Sequence, residues 1–328
     1  MADIISAPVG HAVPVSRKRT ARLRIPATEN VIRMASPVLP SSIGPYALLR
    51  EIGRGSMGIV YEAVANGSEH PVAVKVARHA LADAPIGAER LRSLFFTEAR
   101  AASLLDHPAI LRVLDADIEN DRCYLAMELV RDCRTLRPHC SPAGLLPLER
   151  VAGILVNCAN ALGHAHERGV IHRDLKPSNV LLTANGEIRI ADFSIAHITR
   201  PDLASTLRLG FLGSPRYMSP EQIQEDLASA QSDLFALGVV AYELLTGYPP
   251  FGAEGFSALV HAIVNEPPCP LRLRRAGVPA ALETIVLKLL EKYPEDRFAS
   301  GRLLASALEE VLQALPVEPG VTNHRTER

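Results

Sequence analysis

The stretch "VIHRDLKPSNVLL", residues 170–182, crowds His172, Arg173, Asp174, Lys176 and Asn179 between two apolar runs. Pro177 forbids a regular helix through them, because its ring removes a backbone donor and collides with the preceding turn. Burying so many polar groups is costly unless each has a partner, so a loop of this kind reads as a reaction centre. Downstream, "IRIADFS" adds Asp192, a second carboxylate suited to Mg²⁺. That ion takes one or two protein oxygens and leaves its other positions to water or phosphate.

Two upstream stretches extend the set. "EIGRGSMGIVYEAV" spaces Gly53, Gly55 and Gly58 as GxGxxG. Glycines without Cβ atoms let a turn lie close over phosphates and offer backbone N–H groups to them. A dinucleotide fingerprint uses the same letters but continues into a helix, whereas "IVYEAV" reads as a strand. Further on, "VAVKVA" sets Lys75 in an apolar strand, where its ammonium needs a phosphate or a carboxylate. Glu98, on the helical stretch that follows, is the natural carboxylate.

Taken together and in order, these stretches resemble the signature set of the eukaryotic-like (Hanks-type) serine/threonine protein kinases over residues 46 to about 312. "YLAMELV", "YMSPEQ" and "YPEDRF" are most similar to the bacterial branch. The resemblance implies an α+β, two-lobed protein kinase fold and transfer of the ATP γ-phosphate to Ser or Thr hydroxyls of protein substrates. It implies that Gly53, Gly55 and Gly58 cover the ATP phosphates while Lys75, held by Glu98, binds them. Ile52, Val60, Ala73 and the gatekeeper-like Met127 would line the adenine site, with Glu128 and Val130 offering backbone groups. Asp174 would accept the substrate proton and Lys176 would steady the γ-phosphate. Asn179 and Asp192 would hold Mg²⁺, with Mn²⁺ as an alternative ion. Lys176 two residues after Asp174 is the Ser/Thr pattern.

The elements that must position these residues follow from periodicity. Residues 1–44 carry five prolines and the basic cluster "RKRTARLR" and read as a disordered basic segment. From 45 to 130, β-like runs with one helical stretch, "GAERLRSLFFTEARAASLL", read as a small sheet lobe. From 131 to 312 apolar residues at three and four spacings give a mainly helical lobe, and 313–328 form a short tail. By resemblance, Asp233 braces the catalytic loop, and Glu221 with Arg297 forms a buried ion pair. The "HAH" of His164 and His166 cannot make a metal pair on one helix face, since i and i+2 point apart.

Composition narrows the rest. Lys plus Arg number 35 against 36 Asp plus Glu, so no global field draws the chain to nucleic acid or membrane. Five cysteines without CxxC spacing read as neither a disulfide framework nor a zinc site, and a reducing cytoplasm is the expected home. Apolar runs fall short of a membrane span, and no secretory leader is expected.

Ser194 stands where the family has glycine after Asp-Phe. A left-handed serine there costs roughly 1–2 kcal/mol, while Asp192 itself is intact. A nucleotide-binding pseudokinase scaffold is the alternative it raises. A small-molecule kinase of related fold is disfavoured by the long segment from Asp192 to Glu221. By resemblance, Arg173 beside Asp174 belongs to a cationic pocket completed by phosphate on the activation segment. Thr206 is the first candidate phosphosite and Ser205 the second, with a kinase homodimer performing trans-autophosphorylation.

Overall fold

A computed structural model of the chain describes residues 41–55, 58–78, 87–193, 215–224 and 228–315. Ser194, Ser205 and Thr206 lie outside the described residues, as does the basic cluster of residues 17–24.

Period-two alternation builds the first sheet. Strands β1 (Ser42–Ile43), β2 (Tyr46–Arg54), β3 (Gly58–Ala65), β4 (Pro71–Ala77), β5 (Val113–Glu119) and β6 (Arg122–Glu128) pair antiparallel in the order β1-β2-β3-β4-β6-β5. One face gathers Ile43, Tyr46, Tyr61, Ala63, Val74, Val76, Tyr124 and Ala126 into a core. The other face packs Ala73, Cys123, Leu125 and Met127 against Leu91, Phe95 and Ala99 of helix α1 (Ala88–Ser103). Those α1 residues recur every four positions and so form one stripe. Because side chains alternate along a strand, Lys75 shares the face of Ala73 and looks toward α1. The two edges of the sheet curl toward each other. The Tyr46 hydroxyl donates to Asp115 at 3.1 Å and the Gly44 N–H to Glu119 at 2.8 Å. The sheet begins at Ser42, inside the stretch read as tail, since Ile43 pairs with Tyr46 and is buried there.

The second lobe is helical. It contains α2 (Leu148–His166), α3 (Pro220–Gln224), α4 (Ala230–Thr246), α5 (Phe256–Asn265), α6 (Leu271–Arg274), α7 (Ala280–Leu289) and α8 (Gly301–Ala314). Every residue of α4 from Ser232 to Thr246 is buried, as expected of a helix apolar nearly all round. Ser229 and Ser232 close its N-terminus with reciprocal hydrogen bonds, and Gly247 at φ 79° ends it in the left-handed conformation. Helix α2 packs on α4 and α8, meeting α8 where a Cβ on Gly301 would strike the Ala159 carbonyl.

A three-stranded antiparallel sheet of β7 (Cys133–Thr135), β8 (Val180–Thr183) and β9 (Ile188–Ile190) belongs to the same lobe, with α2 between β7 and β8 in sequence. The segment leading into β5 is tied to it: Leu111 N–H donates to the Ile190 carbonyl at 2.9 Å, and Ile190 N–H to the Ala109 carbonyl at 2.8 Å. Ala191 and Asp192 follow directly, so both lobes contribute to holding them.

Candidate active site

Asp233 organises the loop that carries the polar cluster. It lies in the first turn of α4, 1% exposed, where the helix dipole favours a carboxylate. Its Oδ2 accepts the His172 N–H at 2.7 Å and its Oδ1 the Arg173 N–H at 2.8 Å. His166 Nε2 meets Oδ2 at 2.8 Å from α2. These bonds hold Arg173 at φ 67°, a left-handed conformation that costs a side-chain-bearing residue energy and needs such support.

The turn aims the next residues. Asp174 N–H donates to His172 Nδ1 at 3.2 Å, which leaves Nε2 as the donor to the Ala191 carbonyl at 3.0 Å. His172 is fully buried with its ring 4.7 Å from that of Phe193. Lys176 Nζ reaches Asp174 Oδ2 at 2.7 Å, and Asn179 Nδ2 donates to the Asp174 carbonyl at 2.9 Å. Ala191 N–H in turn donates to the Asn179 carbonyl at 2.8 Å. A continuous chain of bonds therefore links Asp174, Lys176, Asn179 and Asp192.

The charge pairing differs from the sequence expectation. Lys75 Nζ lies 2.7 Å from Asp192 Oδ1, and Glu98 Oε1 lies 3.0 Å from Arg173 Nη1, in place of a Lys75–Glu98 pair. Both lobes meet in these contacts. Asp192 is itself left-handed, at φ 65°, which turns its carboxylate to the lysine. Burial would raise the Asp192 carboxyl, but Lys75 foremost, with His172 and Lys176, outweighs it and holds it below the usual carboxylate range. Glu98 shows the opposite balance. Burial pushes its carboxyl from 4.5 up to about 7 against the pull of Arg173, and its Oε2 is buried without a hydrogen-bond partner.

The residues suited to a metal fit a hard cation. Asn179 spends its amide N–H on Asp174, so its Oδ1 is left as an oxygen donor, with only the Ser178 hydroxyl at 3.5 Å. Among the described residues no three His, Cys, Asp or Glu side chains gather to hold a metal. One carboxylate and one amide oxygen match an ion that draws its remaining ligands from phosphate and water.

Residues expected at the adenine site share one apolar cluster. Ala73 and Met127 are buried, with Val60, Val130, Leu181 and Ala191 packed against them. Leu181 of β8 was not singled out in the sequence, where an apolar strand residue after the loop carries no distinguishing signal. Glu128 gives its N–H to the Arg112 carbonyl at 3.0 Å, so only its carbonyl remains for a ligand. Ile52 is 39% exposed at the end of β2, next to the glycine turn, where Gly55 N–H donates to the Gly58 carbonyl at 2.9 Å. A Cβ on Gly58 would collide with the Val76 carbonyl, so this glycine is required by a close strand approach.

Glu221 and Arg297 form the expected buried pair, bidentate at 2.8 and 2.9 Å. His166, which its spacing excludes from a metal pair with His164, supports Asp233. Nothing in its local sequence marks that contact, made across 67 residues.

Comparison with known proteins identifies the family. Residues 46–310 match the protein kinase domain family. Serine/threonine-protein kinase Pkn1 of Myxococcus xanthus is 38% identical over 88% of this chain and 41% of its own length. PknB of Mycobacterium leprae is 34% identical over 83% of this chain and 44% of its own. The chain thus spans less than half the length of these curated relatives. The crystal structure of a mutant form of the Mycobacterium tuberculosis PknI kinase domain superposes with a TM-score of 0.65 at 30% identity. That match covers 83% of this chain and 98% of the solved one. The family match spans most of the chain, and the chain belongs to the protein kinase domain family.

Proposed function

We propose that this chain is an ATP- and Mg²⁺-dependent protein serine/threonine kinase that autophosphorylates on its activation segment. The observation that carries the reading is the bonded chain Lys176–Asp174–Asn179–Ala191, which brings Asp174 and Asp192 to one site beside Lys75. Phosphoryl transfer asks a protein for positioning and for neutralised negative charge more than for covalent chemistry. Asp174, 8% exposed, accepts the proton of the attacking Ser or Thr hydroxyl as that oxygen bonds to the γ-phosphorus and ADP departs. Lys176 offsets charge on the transferred group. Asn179 and Asp192 would hold Mg²⁺, which would supply neutralisation of phosphate oxygens. Lys75 and Asp192 neutralise one another at rest, so each has a counter-charge until phosphate and metal supply a new one.

A second copy of the chain supplies the acceptor, with Thr206 ahead of Ser205. The reaction belongs in the ATP-rich cytoplasm, and no described helix is long and apolar enough to cross a membrane.

The test is incubation of purified protein with ATP and Mg²⁺, or Mn²⁺, followed by phosphosite mass spectrometry, beside Asp174→Asn and Ser194→Gly variants. Phosphate on Thr206 that disappears in Asp174→Asn, and whose initial rate rises with the square of protein concentration, is the expected result. Silence from wild type with activity from Ser194→Gly would make the serine a brake. Silence from both, with nucleotide bound and a generic Ser/Thr peptide untouched, would overturn the reading in favour of a scaffold.

A further inference from the structure

The glycine turn between β2 and β3 has few means of holding itself. The β2–β3 ladder ends at the pair Arg54 and Ile59, and beyond it one backbone bond, from the Gly55 N–H to the Gly58 carbonyl, closes the turn. Glycines offer no side chain to pack and give up the most backbone freedom when ordered. Such a turn keeps a fixed place only if something outside it supplies the hold.

The end of β4 supplies it. Gly58 lies so near the Val76 carbonyl that no side chain fits between them. Two residues on, Arg78 Nη2 donates to the Gly55 carbonyl at 3.0 Å. Among the described residues no other side chain bonds the backbone from Gly53 to Gly58. Arg78 is exposed, and an exposed side chain alone holds loosely. Its backbone is fixed by a second arginine, however: Arg122 Nη1 donates to the Arg78 carbonyl at 2.8 Å and to the Ala77 carbonyl at 3.3 Å.

Arg122 is well placed for this. It opens β6 directly after Asn120 and Asp121, both left-handed at φ 50° and 62°, in a two-residue hairpin turn from β5. The β4–β6 ladder ends with Val76 opposite Tyr124, so Arg78 and Arg122 stand two residues beyond that pair. Like charges set opposite each other repel. Here both guanidiniums are spent on carbonyl oxygens, which makes a relay from β6 through the end of β4 to the turn. Lys75 lies three residues before Arg78, so one short strand carries both the lysine and the hold on the turn.

We propose that Arg78 is a positioning residue for the nucleotide phosphates: through Gly55 it holds the glycine turn in place, with Arg122 bracing it. This rests on the kinase reading, in which that turn covers the ATP phosphates. Arg78 acts on the ligand only through the turn. Its removal therefore weakens ATP and ADP and spares adenosine, which has no phosphate to cover.

The test uses the full chain and two readouts. In nucleotide-free protein, hydrogen–deuterium exchange of the segment containing Gly55 should be about fivefold faster in Arg78→Met than in wild type, the effect of one hydrogen bond of ordinary net strength. Arg78→Lys, whose ammonium still donates to a carbonyl, should stay close to wild type. In calorimetric titrations with Mg²⁺, Arg78→Met should lose about fivefold in affinity for ATP and for ADP while adenosine binds as to wild type. Arg122→Met should give a smaller loss, and adding it to Arg78→Met should give no more, since Arg122 acts through Arg78. Unchanged exchange or unchanged ATP affinity in Arg78→Met, an equal loss for adenosine, or losses from the two substitutions that multiply would each overturn the assignment. Wild-type protein that binds no ATP, with exchange still faster in Arg78→Met, would uphold the hold on the turn and count against the kinase reading instead.

Discussion

Replacing Glu98 with glutamine should stabilise the protein above neutrality and change little in mild acid. The Glu98 side chain is 12% exposed, one oxygen bonds Arg173, and the other is buried without a partner. Burial raises its carboxyl from 4.5 to about 7 despite the arginine. That rise corresponds to about 3 kcal/mol between the protonated and ionised forms. Residual solvent access screens the charge, so roughly 2 kcal/mol is the amount to expect. Because the folded value lies above the unfolded one, the stabilisation is complete below 4.5 and is lost as pH rises through about 7. Glutamine keeps the shape and never ionises. The difference in unfolding free energy, variant minus wild type, should therefore grow by about 2 kcal/mol between about pH 5 and pH 8. Urea unfolding of both proteins across that range measures it, and groups common to the two cancel. A difference that stays constant, or that moves toward wild type with rising pH, would refute the reasoning by showing that Arg173 outweighs burial.

Other substitutions test the frame around the site. Arg297→Met leaves Glu221 without its bidentate partner and should cost about 3–5 kcal/mol in thermal or urea unfolding, partly restored by adding Glu221→Gln. Asp233→Asn turns an amide donor toward one of the backbone N–H groups of His172 or Arg173, a loss of about 1–3 kcal/mol. Peptide-kinase assays of that variant should show kcat falling more than KM rises, since Asp174 is aimed by that turn. Gly58→Ala drives a Cβ into the Val76 carbonyl and should cost about 1–3 kcal/mol of local strain. A fluorescent-nucleotide titration should report the weaker binding.

Much of this arrangement could be read from the chain because it rests on local pattern. Leu91, Phe95 and Ala99 declare a helix face, Ala73 and Lys75 a shared strand face, and Pro177 a loop. The bidentate pair of Glu221 with Arg297 could be carried over from the family because a buried charge pair fits only one way. The Lys75 partner could not be read in this manner. Glu98 and Asp192 are both half-buried carboxylates, and the choice between them depends on where α1 sits against the loop and on a left-handed Asp192. Neither is written in residue type or spacing. His166 is hidden for a similar reason, since its contact with Asp233 joins two helices whose packing decides it.

The four charges that resist sequence reading also constrain one another. Lys75 with Asp192 and Arg173 with Glu98 leaves none of them single. Moving Lys75 to Glu98 alone would strand Asp192 as an uncompensated charge at a partly buried site, which costs several kcal/mol, and would leave the more exposed Arg173 without its carboxylate. The exchange is therefore favourable only when a cation reaches Asp192 and an anion reaches Arg173. In the proposed reaction Mg²⁺ is that cation and phosphate on Thr206 that anion. Either one alone should shift the pairing only in part. Adding Mg²⁺ and nucleotide to unphosphorylated protein should accordingly leave the Glu98 carboxyl titrating near neutrality, while the phosphorylated protein with both should carry it ionised there. Carboxyl ¹³C NMR of Glu98 in the two forms distinguishes these outcomes, and an ionised Glu98 with nucleotide and Mg²⁺ alone would show that Arg173 needs no phosphate to let it go.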